Sequence, residues 1–148
     1  MNEPTLTAAE IEDLRCLAGL IIPASAKYDV PGADDDRIFA DILGGIARDL
    51  GHVRIALGTL RRLAGGSIAA LDASRRATVA ATLRAEGGAP VRVLTRIVLL
   101  CYYRDDRVMA SLGLEARPPF PKGYVVEQGD WALLDPVRAR KPFWRPVA

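Results

Sequence analysis

The sequence predicts an all-α protein: a compact bundle of about five to six helices with an extended, Pro- and aromatic-rich C-terminal arm. Three observations lead there. Apolar residues recur at three- and four-residue spacing in successive stretches, each opened by a capping residue or closed by Gly or Pro. Before residue 114 no run alternates apolar and polar residues between turn signals, so no strand can be written. From Leu114 onward the helical period stops and prolines at 118, 119, 121, 136, 142 and 146 take over. At 148 residues the chain is the size of one domain, long enough to bury about 70% of the surface its extended form exposes.

Thr7 and Glu10 stand in capping-box order ahead of Ile11, Leu14, Leu17, Ala18 and Ile21, which predicts a first helix from about residue 7 to 22, closed by Pro23. "ASAKYDVPGADDD" reads as a loop with a Pro-Gly turn, and its three aspartates fall where a helix N-terminus favours negative charge. Ile38, Ile42, Ile46 and Leu50 line one face of a second helix. Gly44 and Gly45 lie inside it at about 1 kcal/mol each relative to Ala, which a close helix crossing would explain. Val53, Leu57, Leu60 and Ala64 mark a third helix ending at Gly65-Gly66. Asp72 caps a fourth that carries Ala77, Ala80 and Leu83 inward. Pro90 suits the first turn of a fifth, whose Val93, Leu94, Ile97, Leu100 and Cys101 form the most apolar stripe in the chain and make it the expected central helix. A short sixth runs from about Asp106 to Leu112 and stops at Gly113. No fixed-period repeat argues for a solenoid.

The expected division is a helical body over 1–113 and an arm over 114–148. Ordering about 35 such residues costs on the order of 35 kcal/mol in backbone entropy. At about 25 cal/mol per Å² that demands roughly 1,400 Å² of buried apolar surface. The arm's rings and aliphatic side chains can supply it only against a surface that already exists: the body's flank, a partner, or both in succession. Pro119, Phe120, Pro121, Tyr124, Trp131, Leu134, Phe143 and Trp144 are the candidate anchors. Arg138, Arg140 and Arg145 are the candidate partners for acids on the other protein, since Trp, Tyr and Arg dominate interface energetics.

Several chemistries find no support. A formal charge of +2 is too small to argue for nucleic acid. Cys16 and Cys101 form no C-x-x-C pair; a single disulfide stays open, and each also fits as a free thiol packed in an apolar helical pattern. His52, the sole histidine, has no Gly-x-Ser-x-Gly elbow to serve. Asp34, Asp35 and Asp36 lack the alternation of a calcium loop and read as a helix start. "CYYRDD" is explained by a helix end followed by Asp105 or Asp106 capping the next helix. No apolar run approaches the roughly 20 residues of a membrane span, and "MNEPTLTAAE" lacks a secretory n- and h-region. The expectation is a soluble cytoplasmic chain without membrane insertion and with no catalytic, metal or cofactor-binding residue of its own.

Two stretches carry a resemblance. "LAGLIIPASAKYDVPGADDDRIFADI" resembles the N-terminal signature of the gluconate 2-dehydrogenase subunit 3 family, where an "IIP" helix end precedes a "PGA" loop and an acidic helix start. "YYRDDRVMASLGLEARPPFPKGYVVEQGDWALLDPVRARKPFW" resembles that family's C-terminal half. The resemblance implies a small, non-catalytic, all-α subunit that supports the folding and stability of a large glucose-methanol-choline-type flavoprotein. The large subunit would carry FAD and oxidise an alcohol or sugar hydroxyl, and a cytochrome c subunit completes many such complexes. Many members also bear a twin-arginine leader. This chain begins directly before its first helix, so a periplasmic location is the alternative to the cytoplasmic one. The competing readings are a stand-alone helical binding or regulatory module and an enzyme in its own right, for which no polar cluster can be nominated.

Overall fold

The capping box spelled by Thr7 and Glu10 forms: Glu10 N donates to Thr7 Oγ1 at 3.2 Å and Thr7 N donates to Glu10 Oε2 at 2.7 Å. It starts α1 (Ala8–Ile21) in the computed structural model, which describes residues 6–117, 123, 125 and 127–141. Five more helices follow in the body: α2 (Asp36–Gly45), α3 (Leu50–Ala64), α4 (Ala73–Glu86), α5 (Gly88–Tyr102) and α6 (Asp106–Ser111). Short 3₁₀ turns at Ala47–Asp49 and Ile68–Ala70 connect them. The described residues contain no strand; one isolated antiparallel bridge joins Ser25 to Val30.

The chain divides into two units, Met1–Ala116 and Arg117–Ala148. Sequence reading puts this break at residue 114, yet Leu114 N still donates to Met109 O, closing the last turn of α6. In the second unit a 3₁₀ turn, Trp131–Leu134, runs into the four-residue α7 (Asp135–Arg138). That is the short turn the prolines leave room for.

Capping chemistry accounts for most boundaries. Asp35, Asp72 and Asp105 each accept a backbone N–H of the helix they precede. At the end of α3, Gly65 adopts φ 69°, Gly65 N donates to Arg62 O and Gly66 N to Arg61 O, a Schellman arrangement that a β-carbon would strain.

Four expectations need correction. The second helix ends at Gly45, and Leu50 opens α3 instead of extending the face of α2. A β-carbon on Gly45 would lie 3.6 Å from Cys101 Sγ, in ordinary contact with α5, while Gly44 faces open space; only one of the two glycines lies at a helix contact. On α5, Leu100 is 62% exposed, and the buried stripe is Leu94, Ile97, Val98, Cys101 and Tyr102, rotated by one residue from the predicted one. On α4 only Leu83 is buried; Ala77 is exposed and Ala80 half-buried.

The core lies where α3 packs against α5 and α4, with α2 also against α5 and α1 across α3, α4 and α5. Phe39, Leu14, Ile38, Ile42, Leu57 and Leu60 are wholly buried there. Each contributes about 1.5–3 kcal/mol relative to exposure. Among these apolar side chains sits one acid. Asp13, on the inward face of α1, has no solvent exposure; its Oδ1 accepts from Ser67 Oγ at 2.6 Å and from Ile68 N at 3.1 Å, and Arg61 Nε stands 3.4 Å from Oδ2.

Asp13→Ala leaves the buried Ile68 N–H without an acceptor and lowers stability by about 2–3 kcal/mol. Ser67→Ala, which keeps that acceptor, lowers it by about 1 kcal/mol. Urea denaturation of the two variants checks the order; equal losses would show that the Ile68 bond contributes nothing.

Candidate functional site

The arm is the site the sequence nominates, and the described part of it is an exposed apolar turn. Asp130 Oδ1 accepts from Ala132 N at 3.0 Å and starts the 3₁₀ turn; Pro136 sits at the head of α7, where its missing N–H costs nothing. A 3₁₀ turn stacks residues three apart, which places Trp131 and Leu134 on one side, with Val137 following at the same spacing. Trp131 is 60% exposed, Leu133 75%, Leu134 41% and Val137 56%. Trp131 Nε1 donates to Gln128 Oε1 at 3.3 Å, and Arg138 pairs with Asp135 at 3.1 Å within the turn. Arg140 is exposed. Pro119, Phe120, Pro121, Tyr124, Phe143, Trp144 and Arg145 lie outside the described residues.

The first unit holds a polar cluster that joins two stretches far apart in sequence. Asp35 caps α2 by accepting from Arg37 N and Ile38 N, and Asp105 caps α6 by accepting from Arg107 N at 2.9 Å. Arg107 bridges both caps: its Nη2 lies 2.6 Å from Asp35 Oδ1 and its Nε 2.9 Å from Asp105 Oδ1. Arg37 reaches back to Asp106 at 3.1 Å, Arg104 to Asp41 at 2.5 Å, and the Tyr102 hydroxyl donates to Pro31 O at 3.2 Å. The "PGADDDRIFADI" and "YYRDDRV" segments therefore form one joint between α2 and α6.

The loop leading into this joint is equally constrained. A β-carbon on Gly32 would fall 2.9 Å from Ala24 N and would collide with Asp34 Oδ1, so only glycine lets the loop lie against the end of α1. Asp34 lies over Gly19, where a β-carbon would come within 2.8 Å of its carboxyl carbon. Arg15 donates to Asp36 Oδ1 at 2.6 Å and stacks 4.4 Å above the Phe39 ring.

Electrostatics follow from these contacts. The hydrogen bond from Arg107 holds the Asp35 and Asp105 carboxyls below the usual carboxylate range, against the opposing effect of burial. Arg107 itself is pushed up by the same two acids. Burial raises the thiols of Cys16 and Cys101, which are both free, so neither is a poised thiolate. His52 is exposed on α3. Among the described residues no group of three His, Cys, Asp or Glu side chains converges on a common point, and no helix is long and apolar enough to cross a membrane.

Sequence reading missed Asp13 and the Arg107 joint. Asp13 did leave a signal: it stands four residues before Leu17, on the apolar stripe, where an unpaired acid would be costly. Arg107 left none, because its two partners are local caps on their own terms. No family model, curated protein or solved structure matches this chain.

A depressed carboxylate pKa adds stability above the unfolded value of about 3.9, and that stability is lost as pH falls through the lower folded value. Arg107→Gln is therefore expected to lower stability at pH 7, with the gap to wild type closing as acidification below about pH 4 protonates Asp35 and Asp105. Melting temperatures from pH 7 to 2 check this; a gap that stays constant would remove the charge contribution.

Proposed function

We propose that this chain is a non-catalytic small subunit that stabilises an FAD-dependent, glucose-methanol-choline-type dehydrogenase and assists its folding. Docking runs through the C-terminal arm. The observation that carries this reading is the described turn of the arm: Trp131, Leu133, Leu134 and Val137 are all exposed on eight consecutive helical or 3₁₀ residues, Trp131–Arg138. A tryptophan flanked by exposed aliphatics and followed by Arg138 and Arg140 has the composition of an interface anchor. Apolar side chains already held on a formed turn reduce the ordering cost of association.

The resemblance supplies the partner class, and its two signature stretches are the ones joined at Arg107. FAD would belong to the partner, which oxidises an alcohol or sugar hydroxyl, and a cytochrome c subunit would accept the electrons. The acids of the joint, engaged by helix N–H groups and by Arg107, fit a structural role for this chain better than an acid–base one.

Co-expression with a glucose-methanol-choline-type flavoprotein from the same genome tests the proposal. The full chain is expected to co-purify with the flavoprotein and raise its soluble yield. A chain ending at Ala116 loses co-purification, and Trp131→Ala weakens it about 30-fold or more. Retention of the flavoprotein by the truncated chain sinks the arm-docking reading; a well-folded chain that captures no flavoprotein favours the stand-alone binding module instead.

A further inference from the structure

A groove of about 340 Å³ opens between α1, α3, α4 and α5, inside the helical unit. Leu20 and Ile21 of α1, Leu83 of α4 and Leu94 of α5 form its apolar walls, while Ala77, Ala80 and Ala81 leave space on the α4 side because each carries only a methyl group. A second depression of about 500 Å³ continues along α5, sharing Arg84, Val91 and Thr95, and ends at the exposed Leu99 and Leu100.

The charge around this trough is one-sided. Arg84, Arg92 and Arg96 line it, and among the described residues no carboxylate does. Arg96 is neutralised by Asp49 at 2.9 Å. Among the described residues Arg84 and Arg92 have no hydrogen-bond or ion-pair partner, although most arginines of this unit are paired: Arg15, Arg37, Arg61, Arg62, Arg104 and Arg107 all hold an acid. Two free guanidinium groups beside an apolar floor complement a ligand that is apolar along its length and anionic at one end.

We propose that the groove binds a free medium-chain carboxylate, with its acyl chain along the α1–α4–α5 floor and its head group at Arg84 and Arg92. The volume agrees with a small molecule, since ligand pockets span about 300–1,000 Å³. An α-helix, about 10–12 Å across with its side chains, could only rest on the rim. The proposal is independent of the flavoprotein reading and uses none of the arm's residues.

Calorimetric titration of the full chain with decanoate, below its micellar concentration, tests it. Decanoate is expected to saturate one site, with octanoate about tenfold weaker because each methylene adds about threefold to fourfold. Decyltrimethylammonium, of equal length and opposite charge, should not bind. Arg84→Gln is expected to weaken decanoate about fivefold or more while leaving decanol unchanged, and Ala80→Trp to abolish binding by filling the floor. Intermolecular NOEs from decanoate to the methyls of Leu20, Ile21 and Leu94 locate the site without relying on any variant. The proposal is overturned by the absence of saturable decanoate binding, by equal binding of the cationic amphiphile, or by NOEs to other residues.

Discussion

A buried carboxylate sets the arrangement of the first unit. The Ile68–Ala70 turn begins with backbone N–H groups that no residue of its own caps, and Ser67, which stands at the capping position, makes no side-chain cap. Asp13 takes that role from α1, 55 residues away, while the Ser67 hydroxyl turns to donate to it. Burying a charge in a core is unfavourable unless hydrogen bonds and a counter-ion compensate; here two donors satisfy Oδ1, and Arg61 supplies the counter-charge 3.4 Å from Oδ2, which accepts no hydrogen bond among the described residues. The carboxylate therefore admits one placement of α1 against the connection between α3 and α4. Ile68 follows it into the core, and Asp72 then launches α4.

The remaining helices, α2 and α6, are held by a different device. Their joint is ionic and partly exposed, with one guanidinium satisfying the caps of both α2 and α6. Exposed ion pairs contribute little individually. This one gains from two-point geometry, from caps that already hold both carboxylates in place, and from Asp105, whose side chain is only 4% exposed. Between the two polar joints α3 packs on α5 through buried residues such as Val53, Leu57, Leu60, Leu94 and Val98, with the Arg96–Asp49 ion pair at the start of α3. Apolar burial supplies most of the stabilisation, and the polar joints select one packing among those the apolar faces would tolerate.

Positioning α1 and α4 through Asp13 also leaves space between them. Had α4 carried leucines where Ala77, Ala80 and Ala81 stand, the floor beneath Leu20 and Leu94 would be filled. The helical unit thus offers an aliphatic trough lined by arginines, and the arm an exposed tryptophan turn; the two differ in chemistry.

Local chemistry was readable along the chain. The capping box at Thr7 and Glu10, the caps at Asp72 and Asp105, the Gly65 terminus and the loss of helical period after Leu114 all follow from residues within a few positions of each other, because capping bonds and φ preferences reach no further. Helix faces were less legible. A stripe rotated by one residue turns the helix by about 100°, so Leu100 and Ala77 satisfied the period yet faced solvent.

The amino-acid order alone therefore specified the helical class, most of the places where helices start and stop, and the change of texture that marks the arm. Folding chose the partners: Asp13 with Ile68, Arg107 with Asp35 across 72 residues, and the unfilled floor between α1 and α4. Contacts at such separations leave no periodic trace in the sequence, because they arise from which faces of preformed helices can be buried together, a property of the assembled bundle and not of any one segment.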